Sequence, residues 1–299
     1  MKKIFLLLCF LPVAAAAQVD SLAEERRRID SVYIEEVQSD KKGKDKVLHA
    51  EPLFIDLIRD LGARKGEKEW NIGFGLNDNN RYDKHTALIE YEFAPVDRLG
   101  LEVELPFSFY YPINGTHRDS VPASRMNSLK LAAQYTFFVS EPMATSLAVG
   151  YLHEFELEEF RNYGKKNLYI GNLYNPFFIA AKRWGNNYHT LIYAGPQILS
   201  YFSKPYTITT WQVNTNLHYM IPGTRNFIGV EINKEWASSG FNAVLRPQMR
   251  VGLADNLLVG IVSGIPLNRS NERFSTFVRL IYEPGHKHLP SLPRHRHRH

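Results

Sequence analysis

Cysteine is nearly absent from this 299-residue chain: Cys9 stands alone, inside an N-terminal apolar run. Lys2 and Lys3 precede that run from Ile4 to Val13, and Ala15, Ala16 and Ala17 supply small residues for cleavage before Gln18. This is the pattern of a secretory signal peptide over residues 1–17. No small-residue lipobox precedes Cys9, which is expected to leave with the leader. The exported chain then has no disulfide, no thiol nucleophile and no Cys-ligated metal. Long apolar runs are also missing. Beyond the leader nothing approaches the ~18 consecutive apolar residues of a membrane helix, which excludes a helical membrane protein but not a barrel. A surplus of one charge sign is lacking as well. Lys2 and Lys3, with Lys287, Arg294, Arg296 and Arg298 of the tail, exceed the net +5 and leave residues 18–284 at −1. A neutral body has no phosphate-tracking face, so no nucleic-acid partner is expected. Phosphate loops, dinucleotide fingerprints and metalloprotease helices are missing too.

What is present is aromatic and alternating. Aromatic residues make up 13% of the chain, yet its mean hydropathy is −0.30. In "LIEYEFAPVDRLGLEVELPFSFYYP" (88–112), glutamates occupy every second position among Ile89, Tyr91, Phe93, Leu101, Val103 and Leu105. Successive side chains of a strand point to opposite faces, so one face is apolar and the other carries carboxylates. "TWQVNTNLHYMI" repeats the pattern, with Trp211, Val213, Leu217 and Tyr219 against Gln212, Asn214, Asn216 and His218. "RFSTFVRLIYE" sets Phe274, Val278, Leu280 and Tyr282 against Arg273, Ser275 and Arg279, with Phe277 and Ile281 as exceptions. About twelve such strands follow one another from Trp70. A half-buried soluble sheet would also alternate. The connections separate the two. Every second one is tight ("APVDR", "VSEPM", "WGNNY", "IPGTRN", "ADNL"), and the longest belong to the other set. Short periplasmic turns, longer outer loops and an even strand count describe an outer-membrane barrel.

The expected fold is therefore all-β, an antiparallel transmembrane β-barrel of about 12 strands over residues 67–284, with one short N-terminal amphipathic helix. Its wet face places Glu90, Glu92, Glu102, Glu104, Glu154 and Glu156 on early strands and Arg246, Arg250, Arg273 and Arg279 on late ones. Barrel closure would bring these signs together, either as ion pairs that fill a narrow lumen or as a field that selects charged solutes. Residues 18–46 are dense in charge and are expected to be a disordered periplasmic segment. Over residues 47–66, Pro52 suits a first helical position and Gly62 a stop. Leu53, Phe54, Leu57, Ile58 and Leu61 would form one stripe, with Asp56, Arg59 and Asp60 facing away. Such a helix would plug the lumen or dock a partner. The tail 285–299 is expected to be disordered. Its His286, His288, His295, His297 and His299 are the metal-ligand candidates, and its Arg/His alternation equally suits an anion-binding end.

"HAEPLFIDLIRDLGARKGEKEWN" followed by "YEFAPVDRLGLEVELPF" resembles a group of predicted outer-membrane barrel proteins of Gram-negative bacteria. More loosely, "EYEFAPVDRLGLEVELPF" and "RPQMRVGLADNLLVGIVSGIPL" are similar to the porin-like "MetA-pathway of phenol degradation" and transporter barrels. The resemblance covers about residues 47–284 and implies barrel architecture and transport, with no catalytic or ligand residue carried over. One departure is that Tyr282 is followed by a tail, where such barrels commonly end on an aromatic residue.

These features lead to the expectation of a porin-like channel or solute transporter in the outer membrane, surrounded by outer-membrane lipid and passing a small solute that the sequence does not name. The alternative is a non-conducting structural or partner-binding barrel that joins an envelope protein. A third reading, a lipid-modifying enzyme, needs a hydroxyl nucleophile beside a histidine. His117 and Ser120 share a loop, His153 and His218 lie on strands, and no His-x-Ser arrangement occurs. No catalytic residue and no cofactor is therefore expected.

Overall fold

The computed structural model describes residues 22–35, 38, 44–55, 57–113, 115–268 and 272–285. The expected leader, residues 1–17, and residues 286–299 of the histidine-rich tail lie outside the described residues. From Lys68 onward the chain is a meander: β1 (Lys68–Asn79), β2 (Tyr82–Val96), β3 (Leu99–Pro112), the two-residue β4 (Arg125–Met126), β5 (Ser128–Ser140), β6 (Thr145–Leu157), β7 (Tyr169–Trp184), β8 (Tyr188–Tyr201), β9 (Thr207–Met220), β10 (Phe227–Ala237), β11 (Gly240–Ala254), β12 (Leu257–Pro266) and β13 (Glu272–Tyr282). Neighbours pair antiparallel, β3 pairs with β5, and β4 only flanks β3. β1 closes the ring on β13, with Trp70 opposite Tyr282 and Ile72 opposite Leu280. The result is a closed twelve-strand barrel. Closure removes the edges on which other chains would add, which a spanning sheet in lipid requires. Among the described residues no helix is long and apolar enough to cross a membrane.

Alternation sorts the two faces as the sequence pattern requires. Trp70, Ile72, Phe74 and Leu76 are exposed on the outside of β1, while Asn71 is fully buried inside. Aromatic pairs sit near both ends of the wall, Trp70 with Tyr91 and Tyr188 with Tyr219 at one, Trp236 with Phe241 at the other. Those are the positions of interfacial girdles. The turns β2–β3, β5–β6, β7–β8, β9–β10 and β11–β12 lie at the end that carries both barrel termini. The long connections 113–127 and 158–168 lie at the other end.

The helix of the fold is not where periodicity placed it. Residues 22–35, read from their charge as disordered, form the helix, here α1. Its Asp30 accepts from the backbone N–H of Gly223 at 2.9 Å, and Asp30 and Ile34 are buried. Docking on the barrel's turns thus supplies the burial that the segment's composition lacks alone. The described residues of 47–66 contain bends and turns but no helix. Arg59 (φ 60) and Gly62 (φ 86) take left-handed conformations that interrupt a right-handed helix. The backbone groups of this segment are spent elsewhere, on the barrel wall.

Candidate functional site

The inward faces of the strands meet residues 46–63, which run through the lumen. Seven strands hold the backbone of this segment through side chains. The N–H of Ala50 donates to His189 Nδ1 on β8 (3.0 Å), that of Leu53 to Gln248 Oε1 on β11 (2.7 Å) and that of Ile55 to Glu231 Oε1 on β10 (3.1 Å). Further along, Ile58 N donates to Gln134 Oε1 on β5 (3.3 Å), Arg59 N to Glu92 on β2 and Gly62 N to Thr136 Oγ1 on β5 (3.0 Å). In return His218 on β9 donates through Nδ1 to Ala50 O (3.1 Å), Gln134 Nε2 to Arg59 O (3.1 Å) and Arg183 on β7 to Leu48 O (3.5 Å). Buried backbone groups must find partners, and here polar side chains of the wall replace the i→i−4 ladder. That is why the expected helix does not form.

The apolar residues of the segment do not share one stripe either. Leu57, Ile58 and Leu61 pack on Ala132, Ala148, Phe177, Ile179, Ala181, Leu191 and Tyr193, a cluster on β5 to β8. Ala50 and Leu53 face the opposite wall, against Phe227, Leu258, Val262 and Ile281, with Phe277 beside them. Phe54 meets Phe277 edge-on at 6.3 Å, and the guanidinium of Arg246 lies 3.4 Å over its ring. Phe277 and Ile281, which break the polar alternation of β13, are therefore inward apolar contacts for the segment. Two glycines let it approach the wall. A Cβ on Gly100 would stand 1.9 Å from Ile58 O, and one on Gly260 would stand 2.6 Å from Leu53 Cδ2.

Within the segment Lys46 Nζ reaches Asp60 Oδ2 at 2.7 Å and Glu67 Oε1 at 3.1 Å. Burial opposes charge on Asp60, but Lys46 and Arg59 outweigh it and hold this carboxyl well below the usual value. Glu51 goes the other way: burial, then the neighbouring Asp60, push it well above the usual value. The two neighbouring carboxyls are thus pushed in opposite directions. Both line a cavity of about 990 Å³ that opens at the end of the barrel bearing the termini. Arg225 and Glu283 form a bidentate pair on its rim, at 2.5 and 2.7 Å.

The wall charges fall into several groups. Glu90, Glu92, Glu102, Glu104 and Glu156 are buried inside, and Glu154 is half-buried and accepts from Ser128 Oγ. Arg246, Arg250 and Arg279 are buried as well. Arg279 Nη1 lies 3.6 Å from Glu90 Oε1 across the closure seam. Arg273 is different: exposed at the far rim, it pairs with Asp78 outside the lumen, because β13 has there passed beyond the segment and its packing. Lys130 balances the acidic wall most directly, 3.0 Å from Glu102 Oε1 and 2.5 Å from Glu104 Oε2. Period-two alternation puts Lys130, Gln134, Thr136 and Gln248 on the same wet face as His218, but nothing local marks them out from the other polar residues there. Strand parity identifies such residues, yet only the path of the lumenal segment shows that they bind it. Glu231 and His189 share that parity signal.

Residues 45–283 match the family described as HAEPLYID-like. Residues 49–56 read HAEPLFID, differing from that word only at Phe54. No curated protein is a match. The COG4313 outer membrane channel from Pseudomonas putida F1 is similar in structure, with a TM-score of 0.61 at 12% identity over 77% of this chain and 99% of that one. KdgM porin gives a TM-score of 0.47 at 13% identity, over 71% of this chain and 98% of that chain. The translocator domain of autotransporter NalP from Neisseria meningitidis gives 0.43 at 8% identity, over 90% and 97%. At these identities the likeness is one of fold.

Proposed function

The chain belongs to the HAEPLYID-like family, and from that premise we propose that it is a porin-like channel of the outer membrane, closed at rest by residues 46–63. The observation that carries this reading is how the segment is held. Its backbone bonds go mostly to polar side chains of seven strands, with one to the backbone of the β2–β3 turn, where Arg98 N donates to Ala63 O at 2.5 Å. Each such bond contributes only about 0.5–1.5 kcal/mol net, because water replaces it on withdrawal. A plug built this way can leave a lumen already lined with polar groups. The Pseudomonas putida barrel of similar fold is an outer membrane channel, which supports the same reading. The test is planar-bilayer recording of the full chain beside a deletion of residues 47–62. The full chain should be nearly silent and the deletion should give discrete steps. A folded deletion without current steps in several salts overturns the channel.

One observation favours a second reading, a non-conducting barrel that binds an envelope protein. Helix α1 leaves Glu24, Glu25, Arg26, Arg27 and Arg28 exposed beside the barrel mouth. Loss of a co-purifying envelope protein on removal of residues 22–35, with conductance unchanged, would select that reading.

A further inference from the structure

We propose that the cavity at the end of the barrel bearing the termini binds a small monocarboxylate with an apolar body, held by Arg250. Arg250 lies on the inward face of β11 and lines that cavity, yet it is only 7% exposed. Its Nε donates to the backbone oxygen of Arg225 at 3.2 Å, and its guanidinium carbon sits 4.8 Å from the centre of the Phe227 ring. Those contacts leave both Nη groups without an acceptor, and among the described residues no carboxylate lies within ion-pair distance. The register gives the reason. Across β10 and β12, Arg250 faces Phe227 and Gly260, and the nearest residues on its own face of β11 are Gln248 and Gly252. None of these carries a negative charge.

The other cations around the cavity are placed differently. Lys46 is held by Asp60 and Glu67, Arg59 by Glu69, and Arg225 by its bidentate bond to Glu283. Arg279 approaches Glu90. Glu51, Glu283 and Asp60 reach Arg250 only by longer-range attraction. Arg225 already engages Glu283, and Lys46 engages Asp60. Burial, then Asp60, push Glu51 well above the usual carboxylate value, so it is a poor counter-ion. A buried cation without a partner is costly, and an anion entering the cavity would remove that cost.

The chemistry of the ligand follows from the surroundings of Arg250. A guanidinium fork matches two oxygens of one carboxylate or phosphate group. One positive charge is open there, while Glu51, Glu67, Glu69 and Asp255 line the same space. A single negative charge is therefore matched, and a phosphate dianion is repelled. The neighbours of the guanidinium are apolar. Leu53 packs on Gly260 opposite Arg250, and Leu53, Leu258 and Ile281 line the cavity and join Phe227 in one cluster. A hydrocarbon body would shed water against them. The volume of about 990 Å³ falls within the range of small-molecule sites, roughly 300–1,000 Å³. Leu53 belongs to the lumenal segment, and Tyr33 of α1 lines the cavity too. A bound carboxylate would thus sit where the wall meets both N-terminal elements. None of this rests on whether the lumen conducts.

The experiment is calorimetric titration of the purified full chain with sodium hexanoate at constant chloride, using protein shown to be folded by heat-modifiable gel mobility. One saturable site is expected, weakened about tenfold or more by Arg250→Gln, since hydrogen bonds to a charged group are lost. Arg273→Gln at the far rim should leave it unchanged. Absence of saturable hexanoate uptake by the wild-type chain overturns the site. Uptake that Arg250→Gln leaves intact overturns Arg250 as its centre. Equal affinity for inorganic phosphate or for 1-hexanol overturns the assignment to a monocarboxylate. Should Arg250→Gln fail to fold, Arg250→Lys, which keeps the charge without the fork, takes its place in the same comparison.

Discussion

The backbone N–H of Ala50 donates to Nδ1 of His189 at 3.0 Å, so this imidazole must present a lone pair there and is held neutral. His49 stands beside it, ring centroids 6.5 Å apart, with Nε2 3.0 Å from Ser146 Oγ. Burial, then His189 and Arg183, push His49 down to about 3 from an ordinary value of 6.5. A folded value below the ordinary one means that the stabilisation is complete above pH 6.5 and is lost as pH falls through about 3.

Acidification from pH 7 toward 4 should therefore loosen residues 47–62 while the barrel stays folded. Protease cleavage within the segment, followed across that range, should rise at low pH, and His49→Gln should flatten the rise. Equal protection at pH 7 and 4 would remove the histidines from any role in retention.

Gly100 provides a steric test. A methyl group there collides with the backbone oxygen of Ile58 at 1.9 Å, so the segment must move away. Gly100→Ala should cost about 1–3 kcal/mol of segment retention. The readout is labelling of a cysteine placed at Leu57, which should become accessible in the alanine variant. If that cysteine remains unreactive, the segment does not pass so close to β3.

Lys130 offers an electrostatic one. Lys130→Met strands Glu102 and Glu104 in the wall, and loss of one partner of a buried pair costs about 3–5 kcal/mol. The unfolding midpoint in guanidinium should drop, and adding Glu104→Gln should recover part of the loss. An unchanged midpoint would mean that the carboxylates are already neutral.

Much of the barrel was legible because a strand in lipid obeys one local rule. Ile72 and Phe74 alternate with Asn71 and Gly73 whatever the rest of the chain does, and the tight turns at Asp97–Arg98 and Gly185–Asn186 announce themselves in composition. The site was legible only as a list of inward residues. Glu90, Glu92, Glu102 and Glu104 were readable as inward by parity, but Lys130 as their shared partner depends on the register of β3 against β5.

By itself the sequence determined strand parity, the apolar outer belt and the polar interior, since each depends on residues two apart. The path of residues 46–63 was decided by the tertiary structure. Leu53, Leu57 and Leu61 have helical spacing, but no helical hydrogen bond competes with fixed acceptors such as Gln248, Glu231, Gln134 and Glu92 arranged around the segment. The same holds for helix α1, whose charged sequence has little to bury until Gly223 and its turn meet Asp30. Long-range partners set those backbone conformations, and a local pattern carries no information about partners over a hundred residues away.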